Sequence, residues 1–214
     1  MNLSIVGNNP HSWFVPFAER LRNRLLRFGP VALLASAAEI QPGNEIAFLL
    51  SYEAKVSAEL LARSKHNIVV HASDLPLGKG MSPLTWQVLE GRDVIPITLF
   101  EAVEAFDAGT VYLKDSFRLQ GNELLNEMQA VLGAKILDLC AEFVRRYPAI
   151  IAEGRSQEGA STFYRRRTPE DSQLDPTRPI QEQFNLLRVV DNERYPAFFE
   201  LNGRRFILKI TAAP

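Results

Sequence analysis

Apolar positions along the chain fall into two alternating rhythms. Residues 2–6, NLSIV, form a short apolar run that predicts a strand. After the loop GNNPHSW, the spacing of Phe14, Phe17, Leu21, Leu25 and Leu26 predicts a helix over about 13–28. VALLASA at 31–37 and EIAFLLSY at 45–52 predict two further strands, the second apolar enough to be buried on both faces. AKVSAELLARS at 54–64 returns to helical spacing, and NIVVHAS at 67–73 predicts another buried strand. Strands alternating with helices predict an α/β fold: a Rossmann-like, mostly parallel sheet with helices on both faces.

Beyond Ser82, PLTWQVLEG predicts a helix with Ser82 as N-cap, Pro83 at its first position and Gly91 at its end. VIPITLFEAV at 94–103 and TVYLKDSFRL at 110–119 predict two extended segments joined by the loop EAFDAG. A long helix over about 121–147 stops before Pro148. Residues 153–182 hold Gly154, Gly159, Pro169, Pro176 and Pro179 among polar groups, the pattern of a linker laid over the surface. A short helix follows, and then FFEL-NG-RRFILKI, in which Asn202-Gly203 predicts a β-hairpin with a type I′ turn. A small hairpin cannot bury both faces by itself, so it is expected to pack on the main domain or on a second copy in a homodimer. The expected division is a catalytic domain over 1–152, then a linker, short helix and hairpin over 153–214.

Composition narrows the class of protein. Twenty-four Lys and Arg against 25 Asp and Glu give a formal net charge of −1, which provides no field to steer the chain to nucleic acid. The N-terminus lacks the pattern of a signal peptide, and no apolar run reaches the length of a membrane span. Cys140 is the single cysteine, set among Ile136, Leu137, Leu139 and Phe143 at helical spacing, where a core residue is expected. A cytoplasmic protein without disulfides is the expectation. The three histidines lack close ligand spacing, so no metal site is expected.

Two residues stand out chemically. His71 ends the apolar strand NIVVH, at the carboxyl edge where α/β sheets present ligand-binding groups. It is either a hydrogen-bonded structural histidine or a reactive one, and the loop ASDLPLGKGMSP after it suits close approach of a ligand to the backbone. Asp107 lies in the second loop with Gly109 two residues on, as a turn residue or as the partner that orients the His71 imidazole. GNNPHSW places Asn8 and Asn9 where a phosphate could meet a helix N-terminus. Trp13, Phe14 and Trp86 either stack on a ligand or pack in the core, and Arg165, Arg166 and Arg167 make either a solvated patch or a phosphate contact.

The stretch HASDLPLGKGMSPLTWQVLEG, followed by ITLFEAVEAFDAGTVYL, resembles the formyltransferase family. His71, Ser73, Leu75 and Pro76 match the family's N-x-H-P-S-L-L-P motif, Gly80 and Pro83 its glycine-rich loop, and Thr98, Asp107 and Gly109 its T…D-x-G motif. The resemblance covers roughly residues 45–120, and RRRTPEDSQLDP with the terminal hairpin is similar to the region after the catalytic domain in methionyl-tRNA and sugar N-formyltransferases. It implies formyl transfer from N10-formyltetrahydrofolate, as co-substrate and without metal, to the amino group of a small molecule. His71 and Asp107 would be catalytic. Ser51, Tyr52, Glu53, Thr98, Phe100 and Gly109 would hold the folate, and Asn8, Asn9, Ser73, Lys79, Gly80, Met81 and Trp86 the acceptor.

The layout is closest to the sugar N-formyltransferases, which implies a nucleotide-linked amino sugar as acceptor, with glycinamide ribonucleotide as the alternative. A chain ending at Pro214 leaves no room for the extra nucleic-acid-binding domain of methionyl-tRNA formyltransferases, so transfer RNA is not expected. The sequence departs from the family at Val69, where the family carries a catalytic asparagine, and at Ala72 and Asp74. Asn67, on the same face of the strand as His71, is either a structural amide at the strand edge or a distant replacement for the missing one. The other consequence of Val69 would be a formyltransferase-like binding protein without turnover.

Overall fold

The computed structural model describes residues 1–7 and 12–213. Strands β1 (Leu3–Val6), β2 (Val31–Leu34), β3 (Asn44–Leu49) and β4 (Ser64–His71) come first, followed by the two-residue β5 (Lys79–Gly80), β6 (Val94–Glu101) and β7 (Val111–Arg118). All but β5 pair into one sheet in the order β2-β1-β3-β4-β6-β7. The first four run parallel, β6 is antiparallel to β4, and β7 is antiparallel to β6. The apolar runs IVG, EIAFLL and NIVV form this sheet because they can be covered on both faces, as parallel strands require.

The helices are α1 (Val15–Leu25), α2 (Ala58–Leu61), α3 (Pro83–Leu89), α4 (Leu125–Arg146) and, later, α5 (Ile180–Arg188). Coverage of the two faces is unequal. Leu3, Ile5, Ile46, Phe48, Ile68, Ile95 and Ile97 pack with Leu21 and Leu25 of α1 and with Met128, Ile136, Cys140 and Phe143 of α4. Four-residue spacing along α4 aims those side chains at the sheet, and truncating Phe143, fully buried beside Phe48 and Tyr112, would cost about 3–5 kcal/mol. Over the opposite face, Val6, Ala47, Leu49 and Val69, the described residues place the one-turn α2, the 3₁₀ turn Ala37–Glu39 and the loop residues Tyr52, Val56 and Ala102.

Three local expectations change. The helix expected over 54–64 shrinks to α2: the Ser57 side chain caps it by accepting from the Leu60 N–H, and from Ser64 the chain is already paired in β4. Ser82 precedes α3 in the left-handed conformation at φ 52° and makes no side-chain cap. The stretch 153–182 is more than a surface linker, because β8 (Phe163–Tyr164) pairs with β5, and Ser172 and Leu174 are buried. Cys140 is a core residue as expected, its thiol pushed up by burial.

The hairpin forms as β9 (Ala197–Leu201) and β10 (Arg204–Leu208), with Asn202 at φ 52° and Gly203 at φ 76°, the type I′ pattern. Ala197 is buried with Leu174, Leu187 and Val190, and Phe198 is buried as well, while β10 lies exposed along its length. Among the described residues no helix is long and apolar enough to cross a membrane.

Candidate active site

A cleft of about 260 Å³ opens where the parallel strands end. Val69, Val70, His71 and Ala72 of β4 and its exit line it, with Ser51, Tyr52 and Glu53 after β3, Gly80 to Thr85 around the start of α3, and Phe106 and Asp107. Helix α4 adds Leu125, Gln129, Leu132 and Ile136, and Trp13 completes the wall. Alternation along β4 explains one feature: Val69 and His71 project to the same side, so the residue at 69 faces whatever His71 faces.

His71 is 9% exposed, and its Nε2 lies 2.9 Å from the Gly78 carbonyl oxygen. A carbonyl only accepts, so Nε2 carries the proton, and Nδ1 has no hydrogen-bond partner among the described residues. The Asp107 carboxylate accepts from the Gly80 N–H at 2.8 Å and stands 3.9 Å from His71 Nε2. At that distance the two are coupled by charge and not by a hydrogen bond. The pair does not arise from adjacent strand ends. Glu101, the last residue of β6, sits opposite Ile68, so the 102–110 loop leaves the sheet low on β4 and folds back to bring Asp107 to His71.

The expected site residues divide. Ser51, Tyr52, Glu53, Gly80 and Met81 line the cleft beside His71 and Asp107. Asn67 does not join them: its amide nitrogen donates to the Leu61 carbonyl at the end of α2, 2.9 Å away, which ties the helix to the strand. Thr98 is wholly buried and donates to the Ser73 carbonyl, and Phe100 lies in the core at 2% exposure. Gly109 packs so closely on the Glu101 carbonyl that a Cβ would stand 1.7 Å from its oxygen, a role of backbone approach. Ser73 is buried under the loop. Lys79 lays its ammonium over Phe163, and Trp86 stacks on Tyr164 and donates to the Arg165 carbonyl, so neither lines the cleft. Asp74 pairs with exposed Lys114. Asn8 and Asn9 lie outside the described residues.

The cleft walls from α4 had no signal in the sequence beyond helical spacing. An adjoining annex of about 180 Å³ shares Trp13, Ser51, Glu53, Met81, Ser82, Thr85, Leu125 and Gln129 with the cleft, and of the arginine cluster singled out in the sequence it takes Arg166 and Arg167. Arg166, Arg167 and Arg194 line it, with Asp191 and Tyr195. Arg166 pairs with Glu53 at 3.2 Å, whereas Arg194 has no carboxylate partner among the described residues. Burial lowers the Arg167 pKa, and its Nε is buried without a hydrogen-bond partner while Nη2 donates to Ser172 Oγ and the Asp171 carbonyl. Among the described residues no three His, Cys, Asp or Glu side chains gather as a metal site.

No family model matches the chain. Solved structures similar to this chain include formyltransferases and HypX. A methionyl-tRNA formyltransferase from Clostridium thermocellum superposes with TM-score 0.83 at 21% identity, over 100% of this chain and 94% of that one. HypX from Aquifex aeolicus in complex with tetrahydrofolic acid gives 0.79 at 16% identity, over 98% of this chain but only 37% of HypX. A sugar N-formyltransferase from a Shewanella species gives 0.69 at 14% identity, over 100% of this chain and 98% of that one. The chain therefore has the formyltransferase fold, a Rossmann-like α/β sheet, as the sequence resemblance implied. Length does not separate the acceptor classes as expected, since a chain named for methionyl-tRNA is matched over nearly its whole extent.

Proposed function

We propose that the protein is an N-formyltransferase that moves a formyl group from N10-formyltetrahydrofolate to the amino group of a nucleotide-linked amino sugar. The observation that carries this reading is His71 and Asp107 meeting at the floor of a cleft on the formyltransferase fold. A tetrahydrofolic acid complex among the similar structures supports a folate donor. Apolar Leu49, Val69 and Phe106 beside the polar Ser51–Glu53 turn fit a flat, hydrogen-bonding heterocycle. The arginine-lined annex opening from the same cleft supports an acceptor that carries phosphate.

In this reaction the acceptor nitrogen adds to the formyl carbon, negative charge collects on the formyl oxygen, and the bond from carbon to N10 then breaks. The acceptor nitrogen loses one proton and N10 gains one. His71, charged on uptake of a proton at Nδ1, stabilises the oxyanion, and the Asp107 carboxylate holds that charge in place. The low exposure of both groups keeps water from weakening the interaction.

The asparagine of the family's motif falls at position 69, which is a valine here. Gln129 of α4 is the side-chain amide that lines both cleft and annex among the described residues, and it supplies part of the lost stabilisation. Val69 also favours a second reading, a protein that binds folate without turning it over. Purified protein incubated with N10-formyltetrahydrofolate and a panel of nucleotide-linked amino sugars, with glycinamide ribonucleotide alongside, decides between them by mass spectrometry. Formylated sugar supports the proposal, formylated glycinamide ribonucleotide corrects the acceptor, and folate binding with no formylated product supports the second reading.

A further inference from the structure

We propose that Gln157 is a positioning residue for Asp107, and that the strap 155–164, together with the sheet, sets the separation of Asp107 from His71. This inference rests on the catalytic roles proposed above for those two groups. The problem it answers is geometric. The 102–110 loop starts beside Ile68 and must hold Asp107 near His71, yet Asp107 sits at φ 47°, in the left-handed region that non-glycine residues adopt only when their surroundings enforce it.

Gln157 supplies the enforcement. Its Nε2 donates to the Asp107 carbonyl at 2.9 Å and to the Gly109 carbonyl at 3.0 Å, so one amide group bridges both sides of the turn. The strap carrying it is anchored to the edge of the sheet by reciprocal bonds between Val111 and Arg155, at 2.8 and 2.9 Å. Gln157 does not line the cleft, so it touches neither donor nor acceptor and acts through Asp107.

The same strap also fixes the other half of the pair. Gly78, whose carbonyl holds His71 Nε2, donates its N–H to Thr162 Oγ1 at 2.8 Å. Lys79 donates to the Thr162 carbonyl and Met81 to the Tyr164 carbonyl, on either side of Gly80, whose N–H holds Asp107 Oδ2. A Cβ on Gly80 would lie 2.2 Å from the Tyr164 carbonyl oxygen, so strap and loop are in backbone contact. One ten-residue segment thus grips the partner of the imidazole, the partner of the carboxylate and the turn that carries the carboxylate.

The test compares Gln157→Glu, Gln157→Ala and Gln157→Lys with Glu158→Ala, an exposed strap neighbour that holds nothing in the site. Glutamate has the size of glutamine but cannot donate to two carbonyls, while lysine keeps donors at similar reach. Two quantities are read: kcat and KM for formyl transfer, and the ring resonances of His71 in the free protein, assigned with His71→Ala. The Glu and Ala variants are expected to lose about tenfold to a hundredfold in kcat, the scale of a displacement of about 1 Å, with KM for the folate unchanged. Their His71 resonances should move, and Gln157→Lys should recover most of the kcat. A merely structural residue would instead lower the melting temperature and leave the His71 signals of the folded fraction in place. Unchanged resonances in both Glu and Ala variants overturn the proposal whatever the kcat. If no acceptor is formylated but the resonances move in those two variants and not in Glu158→Ala, the positioning role stands and the assigned reaction fails.

Discussion

The Asp107 carboxylate takes its hydrogen bond from the Gly80 N–H at 2.8 Å and stands 3.9 Å from His71 Nε2. The imidazole in turn is oriented by the Gly78 carbonyl, two residues earlier on the same loop. The glycine-rich loop therefore serves as a template that grips both groups through its backbone, and Asp107 contributes charge more than orientation.

Removing that charge while keeping the template separates the two effects. Asp107→Asn retains an oxygen to accept from Gly80, so the fold and folate affinity are expected to persist while kcat falls by about 10²- to 10⁴-fold, the range of a lost acid/base group. Steady-state kinetics with a melting curve on the same preparation checks this.

Val69 is half-buried on the cleft wall on the His71 side of β4. Val69→Asn places an amide where the family motif has one. It is expected to raise kcat by about tenfold or more, a fraction of the 2.7–4 kcal/mol such a donor contributes to the barrier. The measurement is kcat with saturating donor and acceptor, and an unchanged kcat would mean that the oxyanion is already fully served from α4.

Arg194 borders the annex without a carboxylate partner among the described residues. Arg194→Gln should weaken binding of a nucleoside diphosphate about tenfold, the loss of one charge-assisted hydrogen bond, without altering the affinity for tetrahydrofolate. Calorimetric titration with each ligand separately gives both values.

The acid side of the stability profile has one identifiable contributor. Arg165 binds Asp171 through two nitrogens and holds its carboxyl down to about 2, assisted by the Thr168 N–H. The folded-state pKa is below the unfolded one, so this stabilisation is present above the ordinary carboxylate range and is lost as pH falls towards 2. Asp171→Asn should therefore be less stable than the wild type at pH 7, and the gap should close between about pH 4 and pH 2, read from melting temperatures across that range.

Gly109 carries a purely steric prediction. A Cβ there would meet the Glu101 carbonyl at 1.7 Å, a backbone atom that cannot step aside. Gly109→Ala should destabilise by about 3 kcal/mol, the upper end for single substitutions, measured by denaturant unfolding.

Much of this was legible from residue patterns, and the exceptions share a cause. NIVVH and EIAFLL announced buried strands because apolar runs of that length have few other uses, and Asn202-Gly203 announced its turn because few residue pairs accept two positive φ angles. His71 and Asp107, singled out by type and position, lie 3.9 Å apart in the cleft. Thr98, Phe100, Gly109 and Asn67 carried the right residue types but turned out to hold the framework, because side-chain destination depends on packing that a motif does not record. The strap from Arg155 to Tyr164 read as part of a polar linker since its work is done by backbone groups, one hydroxyl and a single amide. Arg194 became visible only when the fold brought its loop to the annex.

The most direct measurement is the rate of tetrahydrofolate release from N10-formyltetrahydrofolate, with and without nucleotide-linked amino sugar, in the wild type and in His71→Ala. The predicted result is release that depends on the acceptor and falls by about 10²-fold or more in the variant. Acceptor-independent release, or release that His71→Ala leaves unchanged, would contradict formyl transfer at this site.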